Sequence, residues 1–394
     1  MSDGPLAGRR LWFVGIGGAG MSAYAQLARA WGAEVGGWDR VRTPYLDALA
    51  GVRLDVSPEP AVPAGWEAVV SSAYPHVPGL RRRELLRELV AARPSIVVAG
   101  THGKGTTAAM IAFALRECGR DPAWVIGAPV PQLGSNAGAG AGPLVVEGDE
   151  SDGTVFELPA EIAVLTNVEL DHHSERDFAS LADLQDAFDR WLATVPRVVR
   201  DAPSFRGPLA VPGEHNRRNA GAALGALEAV GVERADAERA LARFAGTGRR
   251  FEIHRADLPG VGEVTVVDDY AHHPGEIAAT LAAARERFPG ATLRVLFQPH
   301  LFSRTRHLAR DLAAALAAAD DVAVADVYPA REQPVEGVSG KLVVDALSDL
   351  GTTPAWTPTV EEGAARLRRR ARPGDVLLVL GAGDVDRAVP LLRG

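Results

Sequence analysis

Twice in this chain a short apolar run ends in a glycine-rich turn that opens into a helical pattern: RLWFVGIGGAG at 10–20 and SIVVAGTHGKG at 95–105. Strand, tight turn and helix make a βα unit, and repeating it commits a chain to parallel sheets covered by helices. The alternation continues. Strands are expected within AEVGGWD (33–39), GPLVVEGDE (142–150), EIAVLTNVE (161–169), GEVTVVDDY (262–270), TLRVLFQPH (292–300), DVAVADVYP (321–329) and DVLLVLGAG (375–383). Helices are expected within MSAYAQLARAWG (21–32), TTAAMIAFALRECG (106–119), SLADLQDAFDRWLATV (180–195), NRRNAGAALGALEAVG (216–231), GEIAATLAAARERF (275–288) and HLARDLAAALAAA (307–319). The fold class is therefore α/β.

The pattern restarts near Pro94 and again after FAGTGRRFE, which divides the 394 residues into blocks 1–94, 95–247 and 248–394. A chain of this length has the material for two or three cores. SNAGAGAGP (135–143) is low in complexity and reads as a flexible turn without a function of its own. No fixed-period repeat is present.

A formal net charge of -8 disfavours a general nucleic-acid footprint and leaves small anionic ligands open. Cys118 is the only cysteine, so no disulfide within the chain can form; a buried thiol in a reducing compartment is expected. The segment MSDGPLAGRR lacks the apolar stretch of a signal peptide, and no stretch reaches the roughly 18 apolar residues of a spanning helix. A soluble, cytoplasmic protein with neither membrane nor nucleic-acid partners is expected.

The two turns carry different chemistry. Gly15, Gly17 and Gly20 have G-x-G-x-x-G spacing after a strand, and Asp39 ends the next strand. Such glycines let backbone amides face a diphosphate while the acid reaches a ribose hydroxyl, although a tight βα turn alone would use them too. The second turn runs Gly100, Thr101, His102, Gly103, Lys104, Gly105, Thr106, Thr107. It is shorter than a Walker A loop, yet its amides suit ATP phosphates, its lysine suits the β and γ groups, and a threonine hydroxyl suits Mg²⁺. Glu147, Glu150, His172 and His173 follow later strands, at the sheet edge where parallel strands deliver side chains. Hard oxygen donors together with phosphate oxygens fit Mg²⁺.

Seven segments in this order, AGTHGKGTTAAM, VVEGDESD, TNVELDHH, PGEHNRRNA, GTGRRFE, VDDYAHHP and FQPHLFSRT, resemble the Mur ligases of peptidoglycan synthesis over nearly the whole chain. The resemblance implies three α/β domains: a Rossmann-like N-terminal domain for a UDP-sugar, a central P-loop ATPase domain and a Rossmann-like C-terminal domain for the amino acid. It implies that Lys104 meets ATP phosphates, that Glu147 and His172 help hold Mg²⁺, and that Asn219, with His215 and Asn216, meets adenine. By the same resemblance, Arg250 is expected at the hinge, bringing charge towards the phosphates. Asp269, Tyr270, His272 and His273 are expected to face the reaction centre, and His300 and Arg304 to hold a substrate carboxylate. The resemblance also implies that Gly17, Gly18, Asp39, Ser71 and Ser72 meet the uridine diphosphate.

GIGGAGM and GTGRRF are closest to the branch that joins L-alanine to UDP-N-acetylmuramate through an acyl phosphate. His173 and His272 are both open as acceptors of the amine proton. Another ligase of the family, such as one that attaches recycled murein tripeptide, is an alternative. A non-ligating nucleotide-binding protein and a nicotinamide-dependent dehydrogenase are further ones.

Three features depart from the family pattern. Gly105 stands where a hydroxyl residue usually follows the lysine, which turns attention to Thr106 as the metal-facing group. The first domain is short after SSAYPHVPG, and the middle domain is short between RWLATV and VPGEHN.

Overall fold

The computed structural model describes residues 4–150, 153–169, 178, 180–330 and 332–393. It divides into two compact units, Met1–Ala210 with Arg217–Ala245, and Val211–Asn216 with Gly246–Gly394. Among the described residues there are three sheets, two in the first unit and one in the second.

The first sheet is built from β1 (Arg10–Val14), β2 (Glu34–Asp39), β3 (Arg53–Val56), β4 (Glu67–Val70) and β5 (Leu80–Arg81). Its order is β3-β2-β1-β4-β5 with every pairing parallel, the doubly wound arrangement expected. Helices α1 (Ala19–Ala30) and α2 (Arg82–Ala91) contribute Met21, Leu27, Leu85 and Leu89 to the same core as Leu11 and Phe13. The alternate residues Trp12 and Val14 join a separate cluster with Trp38, Val70 and Val77. That cluster consists of strand and loop residues only, with Trp66 edge-on to Trp12 at 5.4 Å. The Arg53 guanidinium lies 5.5 Å from the Trp12 centroid.

The second sheet follows with β6 (Ser95–Ala99), α3 (Lys104–Glu117), β7 (Ala123–Val130), β8 (Ser135–Gly138), β9 (Leu144–Glu147), β10 (Ile162–Leu165), α4 (Leu181–Leu192), β11 (Arg197–Val199), α5 (Glu214–Ala229) and α6 (Arg234–Leu241). Its order is β11-β10-β6-β9-β7-β8, so β6 and the loop after it are central. Every residue of β6 is buried, which is why it reads as a continuous apolar run without alternation. Helix α3 is buried from Thr106 to Leu115 and ends at Cys118, with Gly119 at φ 69° completing the stop. Cys118 is half-buried there and not fully buried as expected. Helix α4 begins where Ser180 accepts the Asp183 amide at 3.2 Å.

SNAG at 135–138 is a strand and not the flexible turn its composition suggested. It pairs antiparallel with β7, through Trp124 with Gly138 and Val125 with Ala137. Small residues fit because a Cβ at Gly138 would overlap the Trp124 ring. A strand needs only backbone groups and clearance, so low complexity did not preclude one.

The third sheet comprises β12 (Glu252–Leu258), β13 (Gly262–Asp269), α7 (Pro274–Arg287), β14 (Leu293–Phe297), α8 (Phe302–Leu316), β15 (Asp321–Val324), α9 (Lys341–Asp349), β16 (Ala355–Trp356), α10 (Val360–Arg370), β17 (Val376–Leu380) and α11 (Ala388–Arg393). The order is β12-β13-β17-β14-β15-β16, parallel except for the β12–β13 hairpin. The C-terminal ends of β13, β14, β15 and β17 therefore share one edge. Among the described residues no helix is long and apolar enough to cross a membrane.

Candidate active site

The first glycine turn is set by β1. Gly15 has φ 84°, and its amide donates to Trp38 O at 2.8 Å. A Cβ there would come within 3.0 Å of Ser71 Cβ, which brings Ser71, at the end of β4, against the turn. The Gly17 amide donates to Asp39 Oδ2 at 2.7 Å, and Thr43 Oγ1 donates to Gly17 O at 2.7 Å. Asp39 is buried and braces the turn from within, a contact that its expected role at a ribose hydroxyl did not include. Gly18 caps α1, and Gly20 has open space around it apart from the Arg82 guanidinium at 3.8 Å. Ser72 is exposed beside Ser71.

The second turn is held by residues after β10. Gly100 has φ 124° and packs on Thr166 and Asn167. The Thr101 amide donates to Asn167 O at 3.0 Å and the His102 amide to Asn167 Oδ1 at 2.9 Å. Asn167 Nδ2 returns a bond to His102 O at 2.9 Å, and Thr101 Oγ1 donates to Glu169 O at 2.9 Å. Gly103, at φ 81°, is the N-cap of α3 and lies so close to Asn219 that a Cβ would overlap its Oδ1. The first amides of α3 have no acceptor within the helix and face out of the turn, where an anion is favoured. Lys104 folds back: Nζ donates to Gly100 O at 2.7 Å and Thr101 O at 2.9 Å, and pairs with Glu150 Oε2 at 2.8 Å.

Glu147 ends β9 and accepts the Gly127 amide at 2.6 Å. A Cβ on Gly105 would meet its Oε2 at 3.1 Å, so the missing side chain leaves clearance between carboxylate and helix start. The structure thus sets Gly105 beside Glu147, while Thr106 and Thr107 are buried. A carboxylate oxygen next to a helix start that favours an anion is a hard oxygen donor of the kind that fits Mg²⁺. His172 and His173 lie outside the described residues.

The two turns belong to one unit and are physically linked. Asn136 of β8 donates from Nδ2 to Ala19 O at 3.0 Å, and Gln26 of α1 donates to Asn136 Oδ1 at 3.3 Å. Arg82, at the start of α2, places Nη1 at 3.8 Å from the Gly20 Cβ position and Nη2 at 3.6 Å from Asp149 Oδ2. Asp149 precedes the partner of Lys104, so Arg82 spans the space from one glycine turn to the acid loop of the other. Arg82 falls in no motif of the sequence, and Asp149 lies within VVEGDESD without a role of its own assigned there.

In the second unit, two buried carboxylates lie at the end of β13. Asp269 is buried, accepts Phe251 N at 2.7 Å and Ala271 N at 2.8 Å, and burial pushes its pKa up to about 6 against the opposing Arg250 charge. Asp268 is pushed up to about 7 by burial, opposed by Arg249 and reinforced by Asp386, Asp269 and Glu252. His272 Nδ1 lies 2.9 Å from Tyr270 O. A carbonyl only accepts, so this nitrogen carries the proton and Nε2 is the basic one in the neutral ring. Glu276 Oε2 accepts the amides of His272 at 3.0 Å and His273 at 3.3 Å, fixing the start of α7.

Aromatic contacts extend this edge. Tyr270 and His272 are 5.4 Å apart, His272 and His300 5.6 Å, and His300 stacks on Tyr328 at 5.8 Å. Arg304 lies in the first turn of α8, after Leu301 at φ 69°. Arg250 sits 5.0 Å from the Tyr270 centroid and 3.7 Å from Glu276 Oε1. His215 and Asn216 lie in the 211–216 segment of this unit, where Asn216 Nδ2 donates to Pro212 O at 2.6 Å. Asn219 belongs with the first unit.

Residues 249–383 match the family model "Mur ligase, glutamate ligase domain". The UDP-N-acetylmuramate–L-alanine ligase of Renibacterium salmoninarum is 38% identical, with 96% of this chain and 94% of that protein covered. That alignment spans 447 positions against 394 residues here, so the relative has segments this chain lacks. Among solved structures, the UDP-N-acetylmuramate–alanine ligase of Thermotoga maritima superposes with a TM-score of 0.81 at 28% identity, covering 97% of this chain and 98% of that one. A murein peptide ligase of Psychrobacter arcticus shares the fold with a TM-score of 0.66 at 23% identity, over 98% of each chain. Sequence and fold agree along nearly the full length, and the chain belongs to the Mur ligase family.

Proposed function

We propose that this enzyme joins L-alanine to the lactyl carboxylate of UDP-N-acetylmuramate at the expense of ATP, forming a C–N bond in peptidoglycan precursor synthesis. The observation that carries the reading is the pairing, within one unit, of a lysine loop with a separate glycine turn, spanned by Arg82. Two anionic ligands then have separate seats on neighbouring helix ends. The identity to alanine ligases over nearly the whole chain supports the choice of substrates.

In the first step a carboxylate oxygen of the sugar attacks the γ-phosphorus and ADP leaves, giving an acyl phosphate. In the second, the alanine nitrogen attacks the acyl carbon, inorganic phosphate leaves and the nitrogen gives up its proton. Lys104 moves from Glu150 towards the phosphates and neutralises the β and γ groups; Arg250 adds a second positive charge. The amides at the start of α3, with Gly100, Thr101, His102, Gly103 and Thr107, hold the triphosphate, and Asn219, Asn216, His215 and Asp269 hold the nucleoside. Mg²⁺ would supply neutralisation of phosphate charge. Glu147 would hold it, with Thr106 and His172 as further candidate ligands.

Gly15, Gly17, Gly18, Gly20, Asp39, Ser71 and Ser72 seat the UDP-sugar, with the Gly15 turn approaching the diphosphate by its backbone. Tyr270, His300 and Arg304 orient the amino acid. His272 takes the amine proton on Nε2, with His273 beside it at the start of α7; His173 is the other residue suited to that role. The domains we assign are 1–94 for the UDP-sugar, 95–247 for ATP and 248–394 for the amino acid. The test is phosphate release with ATP, Mg²⁺ and UDP-N-acetylmuramate against a panel of amino acids and a murein tripeptide. Product with L-alanine alone is expected; product only with the tripeptide overturns the substrate assignment.

A further inference from the structure

Arg249, which no motif role covers, occupies a socket built entirely from its own unit. Its Nη2 donates to Gly381 O at 2.8 Å and Nη1 to Gly383 O at 3.3 Å, both at the end of β17. Nε lies 3.5 Å from Asp268 Oδ2, and Nη1 lies 3.5 Å from Asp386 Oδ2. The guanidinium carbon is 5.3 Å from the Tyr270 centroid, and the Arg250 guanidinium is 5.0 Å from the same centroid. The backbone is tied as tightly: Arg249 N donates to Glu252 Oε2 at 3.0 Å, and Tyr270 N donates to Arg249 O at 2.8 Å.

Arg249 and Phe251 both have positive φ, 55° and 54°. Side-chain-bearing residues rarely adopt that region, and two of them flanking Arg250 persist only where surrounding contacts over-determine the backbone. The socket supplies those contacts. It takes a planar fork that reaches two carbonyls, two carboxylates and a ring face together, a shape that an ammonium lacks.

We propose that Arg249 is a positioning residue: it clamps the 249–251 segment onto the ends of β13 and β17 so that Arg250 keeps the one geometry in which its charge serves phosphoryl transfer. This rests on the ligase reading above. Arg249 acts through Arg250 and touches no reacting atom itself.

The test is a double-mutant cycle on kcat, with KM for ATP measured alongside. Arg249→Ala is expected to lower kcat about 100-fold while KM for ATP changes less than about 3-fold, as for loss of alignment alone. Arg249→Lys recovers at most a few-fold of that loss. The double variant Arg249→Ala/Arg250→Ala is no slower than Arg250→Ala, because the clamp has nothing left to position. Multiplying effects in the double variant, full recovery by lysine, or an Arg249→Ala enzyme as fast as the unaltered one each overturns the proposal. If the alanine variant does not fold, the same cycle run with Arg249→Lys gives the same two outcomes. Absence of ligation by the unaltered enzyme refutes the functional reading instead.

Discussion

The Lys104 ammonium lies 2.8 Å from Glu150 Oε2 and donates to two carbonyls of its own loop, with Glu150 almost wholly buried. The lysine thus has a resting seat at the start of α3, between one carboxylate and two carbonyls.

Lys104→Ala is expected to cut kcat/KM for ATP by at least about 10³-fold, the scale on which removal of a transition-state charge contact acts. Glu150→Ala leaves the partly buried lysine with only its two carbonyl acceptors and is expected to destabilise the first unit by about 1–3 kcal/mol. Steady-state kinetics and urea unfolding check the pair; near-normal turnover of the lysine variant would misplace the ATP site.

The glycines of the two turns are not equivalent. A Cβ on Gly103 would overlap Asn219 Oδ1 at φ 81°, and one on Gly17 would come within 2.8 Å of Asp39 Oδ2. Gly20 has only the flexible Arg82 guanidinium at 3.8 Å. Gly103→Ala is therefore expected to raise KM for ATP by about 10-fold or more, since strain at such sites costs about 1–3 kcal/mol. Gly17→Ala should do the same to the UDP-sugar, while Gly20→Ala should stay within about 3-fold because no backbone strain arises. Equal effects of the last two would show that steric clearance does not set this turn.

Asn136 joins the first two sheets through Ala19 O and Gln26. Asn136→Ala leaves the Gln26 amide without that acceptor and is expected to cost about 1–2 kcal/mol. Calorimetry should show the first unit melting a few degrees lower, with KM for the UDP-sugar raised and KM for ATP little changed. A raised KM for ATP alone would contradict the assignment of the linked turn.

Asp268 and Asp269 have folded pKa values of about 7 and about 6, above their ordinary 3.8. The folded state then binds more protons than the unfolded one between pH 4 and pH 7, so stability falls as pH rises through that window and levels off above it. Asp268→Asn removes one such group. Its stability, measured by urea unfolding of the whole chain at pH 5 and pH 8, should fall less than that of the unaltered protein, by on the order of 3 kcal/mol. An unchanged pH slope would show that Asp268 is ionised throughout.

The sequence by itself determined the strand–turn–helix units, because a period of two or an unbroken apolar run before glycine specifies local backbone directly. It also marked Lys104 and Glu147, whose types and places after strands are chemically informative, while the residues of VDDYAHHP were marked by resemblance to the family. It identified neither β12 nor β8: the first carries charged residues along an outer face, and the second is made of small residues whose only signal is what they leave room for. Only the tertiary structure decided that Asn136 meets Ala19, that Arg82 spans Gly20 and Asp149, and that Arg249 fills its socket. Each of these contacts joins residues far apart in the chain, and such partners are selected by the packing of whole sheets, which no local pattern encodes.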